Sequence, residues 1–333
     1  MHNPLVSVVV PTRNRADILQ RCLEALAGQT YPAFEVLVVD DASSDRTPQL
    51  LADFRAEHPG IELTALRNDP QLGANPSRKR AIERSRGELV AFEDDDCIAD
   101  PRWIEELVGA FVSDRVGAVT GIVDDPPPRN LFDLAFGGTH RVYGGVHATR
   151  LAGCNMCVRR RLLDDTLDGD RAEVSADMSV SGRGDEEDLF LKLRAKGCEV
   201  RIAHGARVLH EHFYSGSTFF RQAYKGGGSA ARLGYKYYLG LRPELVCLAG
   251  GYLFLFGSAL SPWSLLASAG SFGLFVGATL VYNEIWRKRK TVWQAMAIAP
   301  LMTAYYHLRA YGYFRQLLRL WIGQDRIARV RLG

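Results

Sequence analysis

The chain has 333 residues, with 41 Lys and Arg against 38 Asp and Glu and an apolar fraction of 47%. This length is typical of about two domains, and the composition excludes intrinsically disordered and collagen-like chains. The charge is divided unevenly, because residues 1–212 carry a net charge of −9 whereas residues 213–333 carry +12. We therefore expect an acidic first part and a basic, more apolar second part that suit different surroundings.

The N-terminus and the cysteines both indicate a reducing compartment. The apolar run at residues 5–10 is too short for a secretory signal, so we expect the first part of the chain to stay in the cytoplasm. The six cysteines lack the spacing of a disulfide scaffold. Cys154 and Cys157 form a single C-x-x-C pair, which packing explains better than a zinc site does.

The first 125 residues alternate strand and helix patterns. Continuous apolar runs predict strands, and amphipathic stripes predict helices. In chain order these are strand 6–10, helix 16–27, strand 35–39, helix 45–57, strand 62–66, helix 76–85 and strand 88–92, with Pro101 opening a further helix. Such alternation predicts a doubly wound, mostly parallel sheet of the α/β class. Residues 124–183 predict a loop-rich, substrate-side region, followed by a helix at 187–196 and a strand at 199–203.

The second part contains 39 consecutive residues, 245–283, without a charge or a histidine. As one helix they would extend roughly 58 Å, about twice the ~30 Å hydrocarbon core of a membrane. Pro262 near the middle predicts a turn, so we expect a transmembrane helical hairpin. Basic residues flank the run on both sides, which predicts that both ends face the cytoplasm. Residues 300–321 mix Tyr, Leu and Arg in the manner of an interfacial helix.

Two acidic clusters follow predicted strands, whereas two common nucleotide-binding fingerprints are absent. The absence of G-x-G-x-x-G after the first strand and of G-x-x-x-x-G-K-[ST] disfavours dinucleotide oxidoreductases and P-loop NTPases. Asp40 and Asp41 end the second strand, and Asp94, Asp95 and Asp96 follow the fourth, at the edge where open α/β sheets bind ligands. Three adjacent aspartates repel unless a cation offsets them, which predicts Mg²⁺ or Mn²⁺. Either cluster alone would also suit a solvated helix N-terminus.

Three segments in this order resemble family 2 glycosyltransferases of the GT-A fold: VSVVVPTRNR, VLVVDDASSDRT and LGANPSRKRAIERSRGELVAFEDDDCIADPRWI. The resemblance covers roughly the first 215 residues. It implies an α/β nucleotide-diphospho-sugar transferase fold with a doubly wound mixed sheet, followed here by C-terminal membrane helices. It also implies the use of a nucleotide-diphosphate sugar.

The resemblance assigns roles to individual residues. The predicted nucleotide-binding residues are Pro11, Thr12, Arg13, Asp41, Arg78 and Asp95, and the predicted metal ligands are Asp94, Asp96 and His210. Within these sets, Asp96 is the first candidate for the metal and Asp95 for the ribose. His210 is preferred to His212 as the family's late histidine. Asn155 lies in a segment that resembles the family's substrate side. A strand followed by a basic helix start is the alternative, so we do not assign Asn155 to catalysis.

The family's general base is expected in the acidic run from Gly184 to Leu189. Aligning this run on Asp188 puts the base at Glu186, where aspartate is more common in the family. This departure leaves Asp185 and Asp188 as alternatives, and we take Glu186 and Asp188 as the catalytic candidates. Carboxylates at a helix start also suit the helix dipole, but crowding raises a carboxylate pKa as a general base requires.

Together these features predict an inverting, metal-dependent glycosyltransferase. Its acceptor would be a hydroxyl on a membrane-associated molecule, such as a lipid-linked glycan or a polysaccharide precursor, and UDP is the first donor nucleotide to consider. The alternative is a polyprenyl-phosphate glycosyltransferase, which carries a similar hairpin but usually a different metal motif. A non-catalytic membrane scaffold that binds a sugar nucleotide is a further alternative. Nucleic acid is not expected as a partner, because the basic residues flank the apolar segments.

The predicted domain organisation has four parts. These are a catalytic domain at 1–215, an amphipathic juxtamembrane linker at 216–244, the transmembrane hairpin at 245–283 and basic interfacial helices at 284–333. We expect the catalytic domain on the cytoplasmic face of the cytoplasmic membrane, with membrane lipids as partners. The pattern leaves open whether the chain forms a homo-oligomer.

Overall fold

A computed structural model describes residues 3–137, 146–163, 185–237, 270–275 and 291–322. Within these residues the chain divides into two compact units. The first unit contains the described residues up to 126 and those from 146 to 212. The second contains residues 127–137 and the described residues from 213 onward.

The first unit is built on an eight-stranded mixed sheet. Its strands are β1 (Val6–Thr12), β2 (Phe34–Asp41), β3 (Glu62–Asn68), β4 (Leu89–Glu93), β5 (Cys97–Ala99), β6 (Val116–Asp124), β7 (Asn155–Arg159) and β8 (Glu199–His210). Their order across the sheet is β3-β2-β1-β4-β7-β6-β8-β5. Strands β1 to β4 run parallel, β7 runs antiparallel to both of its neighbours, and β5 runs antiparallel to β8. The predicted α/β class with a mixed sheet is confirmed.

The helices are distributed over both units. In chain order they are α1 (Ala16–Ala27), α2 (Thr47–Glu57), α3 (Ala74–Arg84), α4 (Trp103–Gly109), α5 (Leu131–Phe136), α6 (Asp185–Ala195), α7 (Gly216–Tyr237) and α8 (Val292–Trp321). Helices α5, α7 and α8 belong to the second unit, and the others belong to the first.

Neighbouring side chains of β1 enter two different cores. Val8 and Val10 pack with Leu19 of α1 on one face of the sheet. Val9 packs with Ile82 of α3 on the other face. Because helices cover both faces, the parallel strands are continuous apolar runs. Their carboxyl ends are left to form a common edge, where the acidic clusters lie.

Several elements differ from the sequence-based prediction. Strands β5 and β6 were not predicted, and β7 was considered only as the alternative to a substrate-side segment. The region 124–183, expected to be loop-rich, contains α5 and β7 among its described residues. Strand β8 extends well past residue 203 and ends at His210. Strands β5 and β7 were hard to predict because β5 has only three residues and β7 begins with a polar Asn155.

In the second unit, α7 and α8 approach each other closely at two glycines. A Cβ atom at Gly227 would collide with the backbone carbonyl of Arg309, and one at Gly312 would collide with the backbone carbonyl of Tyr224. Glycine therefore permits the close contact of the two helix backbones. Helix α7 includes the start of the predicted linker 216–244, and α8 begins eight residues before the predicted interfacial helix 300–321.

The predicted transmembrane hairpin, 245–283, lies outside the described residues except for 270–275, which are helical. The predicted basic segment 284–333 is described from 291 to 322. No helix in the described part of the chain is both long enough and apolar enough to cross a membrane.

Candidate active site

The loops after β1 and β2 are joined by hydrogen bonds. The backbone N–H of Asn14 donates to the Ser43 hydroxyl over 2.9 Å. Asn14 itself adopts a φ of 52°, a left-handed conformation that asparagine tolerates better than most residues. Of the three predicted nucleotide-binding residues here, Pro11 is half-buried, Thr12 is buried and Arg13 is exposed. The connection holds this loop against the end of β2.

Asp41 is buried at the end of β2 and is fixed by three donors. The Asn68 side chain and the backbone N–H groups of Leu72 and Gly73 each donate to its carboxylate over 2.8 Å. Burial alone would raise the pKa of Asp41, but these hydrogen bonds and the nearby Arg13 outweigh burial and lower it. Asp41 is therefore a rigid, charged acceptor at the edge predicted to bind the nucleotide.

The lowered pKa of Asp41 predicts a pH-dependent contribution to stability. The folded state stabilises the ionised form of Asp41. Its contribution to stability is therefore full above about pH 4, the pKa of an aspartate in the unfolded chain, and is lost as the pH falls through the lower pKa of the folded state. We expect the free energy of unfolding of the wild type to exceed that of Asp41→Asn at pH 7, and the difference to shrink below about pH 4. Urea unfolding at pH 7, 5, 4 and 3 measures this, and a difference that stays constant would contradict it.

The three aspartates after β4 have different partners. Asp94 lies 2.6 Å from Nη2 of Arg78. Asp95 accepts a hydrogen bond from the Thr12 hydroxyl over 2.7 Å and one from Nη1 of Arg15 over 2.5 Å. The predicted nucleotide-binding residues Thr12, Arg78 and Asp95 are thus linked to one acidic cluster.

Asp96 is held between two histidines. Its Oδ1 lies 3.2 Å from Nε2 of His210, and its Oδ2 lies 2.9 Å from Nδ1 of His212. The two imidazole rings stack with centroids 5.6 Å apart. Nη1 of Arg15 lies 3.1 Å from Asp96 Oδ2. The carboxylate of Asp96 is therefore surrounded by cationic or proton-donating groups.

These contacts shift the protonation of the cluster. Burial alone would raise the pKa of Asp96, but hydrogen bonds with His210 and His212 and the charge of Arg15 hold it well below its usual range. Burial alone would lower the pKa of His210, but its contact with Asp96 raises the value to about 9. Burial raises the pKa of Asp95 to about 6 despite the opposing charge of Arg15. His210 must therefore lose a proton before it can bind a metal ion.

Among the described residues, Asp96, His210 and His212 form a group suited to a divalent cation. Each offers one ligand atom, and these atoms all lie within 4.8 Å of one another. A carboxylate oxygen suits Mg²⁺ or Mn²⁺, whereas imidazole is a typical ligand of transition metals and not of Mg²⁺. The donor set therefore fits Mn²⁺ better than Mg²⁺.

The structure brings together only part of the predicted metal site. Asp96 and His210 lie in this group, but Asp94 contacts Arg78 and lies outside it. His212, which was ranked below His210, contacts Asp96 as well. Arg15 was not predicted at all, although it lies in the loop that follows β1. The sequence does contain a signal for Arg15 and His212, since each is a polar residue just beyond the carboxyl end of a strand.

The two catalytic candidates on α6 have different surroundings. Asp188 is buried and pairs with Nζ of Lys192, 3.1 Å away. Glu186 is half-buried, and its Oε2 would lie 3.6 Å from a Cβ atom at Gly153, just before β7. Asp185 begins α6, but its side chain lies outside the described residues, as does Gly184. Asp188 is therefore held by an ion pair within the helix, whereas Glu186 lies beside the turn that precedes β7.

Asn155 is fully buried and joins four elements of the first unit. The Trp103 indole N–H donates to its Oδ1 over 2.8 Å, and its Nδ2 donates to the carbonyls of Ile122 and Ala206 over 2.9 and 3.0 Å. A Cβ atom at Gly121 would collide with this amide. Asn155 therefore has a structural role, which agrees with leaving it out of the catalytic set.

We expect Asn155→Ala to lower the free energy of unfolding by about 2–4 kcal/mol, because it leaves a buried indole N–H and two buried carbonyls without their partner. Urea unfolding measures the effect. Gln49→Ala is a suitable control, since Gln49 bonds Asp53 on an exposed helix surface and should change stability by at most about 0.5 kcal/mol. Equal stability of Asn155→Ala and the wild type would contradict the structural role.

Comparison with known proteins finds a family that matches the chain from β1 to β7. Residues 7–165 match the family described as Glycosyl transferase family 2. These 159 of the 333 residues are therefore similar to a family 2 glycosyltransferase domain. A relative named Glycosyltransferase AglE, from Haloferax volcanii, is 38% identical over 123 residues, which cover 36% of this chain and 40% of AglE. The predicted enzyme class is thus confirmed for the domain.

A second relative extends further along the chain. An undecaprenyl-phosphate 4-deoxy-4-formamido-L-arabinose transferase of Pseudomonas aeruginosa is 30% identical over 225 residues, which cover 63% of this chain and 60% of that protein. This match includes more than the glycosyltransferase domain. Because the matched segments span less than two thirds of either relative, the activity of the whole protein is treated below as a proposal.

Solved structures support the fold of the glycosyltransferase domain. The mannosyltransferase PcManGT from Pyrobaculum calidifontis, solved with GDP-Man and Mn²⁺, has a TM-score of 0.59 at 20% identity and is matched over 97% of this chain and 88% of its own. Residues 1–349 of Staphylococcus aureus TarS have a TM-score of 0.50 at 16% identity, with 96% and 92% covered. At these identities the likeness concerns the fold alone.

Proposed function

We propose that the chain is an inverting glycosyltransferase that uses a nucleotide-diphosphate sugar and a divalent cation. The observation that carries the proposal is the group of Asp96, His210 and His212 at the same sheet edge as the fixed carboxylate of Asp41. This arrangement offers one site for a cation beside one site for a nucleotide. The family 2 domain and the named glycosyltransferases among its relatives support the same class.

In this proposal the nucleoside is held by the residues around β1 and β2. Asp41 accepts hydrogen bonds from the base, and Thr12 and Asp95 fix the start of the loop that faces the ribose. Arg13 is exposed and offers a positive charge beside Asp41. Rigid binding of the donor matters because orientation of the reacting atoms lowers the barrier to transfer.

Asp96, His210 and His212 would hold the cation, and Mn²⁺ suits this donor set better than Mg²⁺. When bound, such an ion supplies positive charge that stabilises a leaving diphosphate. A neighbour in fold was solved with Mn²⁺, which supports the choice. His210, whose pKa is raised to about 9, would have to be deprotonated to serve as a ligand.

Glu186 would act as the general base. Its carboxylate takes the proton of an acceptor hydroxyl, whose oxygen forms a bond to the anomeric carbon. The bond from that carbon to the diphosphate oxygen breaks in the same step, and the electron pair leaves with the nucleoside diphosphate. A single displacement of this kind inverts the configuration at the anomeric carbon.

We propose a hydroxyl on a membrane-associated acceptor, such as a lipid-linked glycan or a polysaccharide precursor. The acidic residues at the start of α6 support it, because a hydroxyl needs a base to remove its proton. A polyprenyl phosphate is the second candidate, since the P. aeruginosa relative is named for undecaprenyl phosphate. That acceptor is already an anion and would need little help from Glu186.

Placement on the cytoplasmic face of the membrane is also proposed. It rests on the uncharged run at 245–283 and on the basic residues that flank it. Flotation of the full chain with vesicles tests it. Full chain that stays at the bottom of the gradient in the presence of anionic vesicles would overturn this part of the proposal.

The activity is tested with UDP-, GDP- and dTDP-sugars, detergent-purified full-length protein, and Mn²⁺, Mg²⁺ or EDTA. We expect release of one nucleoside diphosphate that depends on the cation, is highest with Mn²⁺ and increases when a membrane lipid extract supplies the acceptor. Nucleotide binding without any release, with or without the extract, would favour a non-catalytic scaffold. Activity that is insensitive to EDTA would overturn the metal dependence.

A further inference from the structure

Arg15 reaches from the protein surface into the buried acidic cluster. It directly precedes α1, and about a third of its side chain is exposed, whereas the carboxylates of Asp95 and Asp96 are at most 5% exposed. One nitrogen, Nη1, lies 2.5 Å from Asp95 Oδ1 and 3.1 Å from Asp96 Oδ2. A single guanidinium therefore neutralises part of both carboxylates.

A divalent cation at Asp96 would share its ligand with this guanidinium. Asp96 Oδ2 already lies within 3.1 Å of both Arg15 and His212. Two cationic groups on one carboxylate repel each other, and the repulsion is stronger at a buried site than in water. Arg15 therefore opposes the binding of a divalent cation as long as no other negative charge is present.

With a nucleoside diphosphate bound, Arg15 would favour the binding of a divalent cation instead of opposing it. Its phosphate oxygens can accept hydrogen bonds from a guanidinium and contact a divalent cation at the same time. Arg15 is partly exposed and follows the carboxyl end of β1, which pairs in parallel with β2, the strand that ends at Asp41. Once the anion is present, both positive charges are stabilised by it.

We propose that Arg15 is a diphosphate-binding residue that makes cation binding and nucleotide binding depend on each other. It weakens the binding of the cation alone and strengthens the binding of cation and nucleotide together. The inference rests on the proposed function, because it requires both ligands at this edge. A purely structural ion pair would instead leave the two binding steps independent of Arg15.

The test measures the affinity for Mn²⁺ in the full chain, by calorimetry and by the electron paramagnetic resonance signal of free Mn²⁺, without nucleotide and with UDP or GDP. In the wild type, we expect a nucleotide to increase the affinity for Mn²⁺ about 10-fold or more. In Arg15→Gln, we expect Mn²⁺ alone to bind about 3–10-fold more tightly, and the increase caused by the nucleotide to fall to about 2-fold or less.

Two further variants keep the test decisive. Arg46→Gln removes the same charge from an exposed pair with Asp17 and should behave like the wild type. Arg15→Lys keeps the charge but lacks the planar fork, so it should retain weak binding of Mn²⁺ alone and lose part of the coupling. If circular dichroism shows that Arg15→Gln does not fold, the comparison of Arg15→Lys with the wild type tests the proposal instead.

Equal or weaker binding of Mn²⁺ alone by folded Arg15→Gln, with the nucleotide effect unchanged, would overturn the role of Arg15. That result would leave the proposed function intact. Wild-type protein that binds neither Mn²⁺ nor a nucleotide would instead overturn the proposed function, and the role of Arg15 would fall with it. The binding of Mn²⁺ and nucleotide by the wild type therefore distinguishes a failure of the proposed function from a failure of the role of Arg15.

Discussion

Asp96→Asn is expected to abolish metal-dependent sugar transfer, with a loss of about 10²–10³-fold or more in the rate and of more than about 100-fold in the affinity for Mn²⁺. The amide keeps the size of the side chain but removes the charge that binds a cation. It also removes the carboxylate that His210 and His212 contact over 3.2 and 2.9 Å. Titration with Mn²⁺ and release of nucleoside diphosphate measure the two effects.

The matched control is Asp94→Asn, from the same acidic cluster. Asp94 contacts Arg78 and lies outside the group of ligand atoms around Asp96. We therefore expect Asp94→Asn to keep its affinity for Mn²⁺ within a few-fold of the wild type. Loss of Mn²⁺ binding in Asp94→Asn together with its retention in Asp96→Asn would move the cation to Asp94, as the motif alone also allowed.

Glu186→Gln is expected to lower the rate of transfer to a hydroxyl acceptor by about 10²–10⁴-fold, because the amide cannot take the proton. Binding of the nucleotide and of Mn²⁺ should not change, since neither contacts Glu186 in the proposed mechanism. The measurement is the rate of transfer with membrane lipid extract as the acceptor, alongside the affinities for both ligands. Unchanged affinities separate a chemical role from a structural one.

Two neighbours on α6 provide the controls for Glu186. Glu187→Gln alters an exposed carboxylate on the same helical turn and should transfer sugar like the wild type. Asp188→Asn breaks a buried pair with Lys192 and should mainly lower stability, by about 1–3 kcal/mol. An inactive but stable Asp188→Asn beside an active Glu186→Gln would make Asp188 the base. Full activity of all three variants would favour a phosphate acceptor.

The first strands were predictable because helices cover both faces of the sheet. Alternate residues such as Val8 and Val9 enter different cores, so the strand is apolar at every position and stands out in the sequence. Strands β5 and β7 carry no such signal, although β6 is also buried at nearly every position. Strand β5 has three residues, and β7 begins with Asn155, whose burial depends on partners 33 to 52 positions away.

Some residues of the candidate site were likewise predictable from the sequence, whereas the contacts of others were not. Asp41 and Asp96 were predictable because acidic residues after strands lie at the binding edge. The contacts of Arg15 and His212 were not, since Arg15 and Asp95 are separated by 80 positions and Asp96 and His212 by 116. The burial of Asp188 likewise depends on which face of α6 meets the sheet, which the four adjacent carboxyl groups do not indicate.

The shortest strand of the sheet has a consequence for how the site assembles. In β5, Cys97 pairs with His210 of β8, so Asp96 lies one residue before the rung of the backbone ladder that contains His210. The backbone N–H of Glu211 donates to the Asp96 carbonyl over 2.7 Å and continues the ladder past the strand. The proposed ligands are therefore aligned by main-chain pairing before any ion arrives, so the hydrogen bonds of the sheet set the spacing of their backbones and no ion is needed for it.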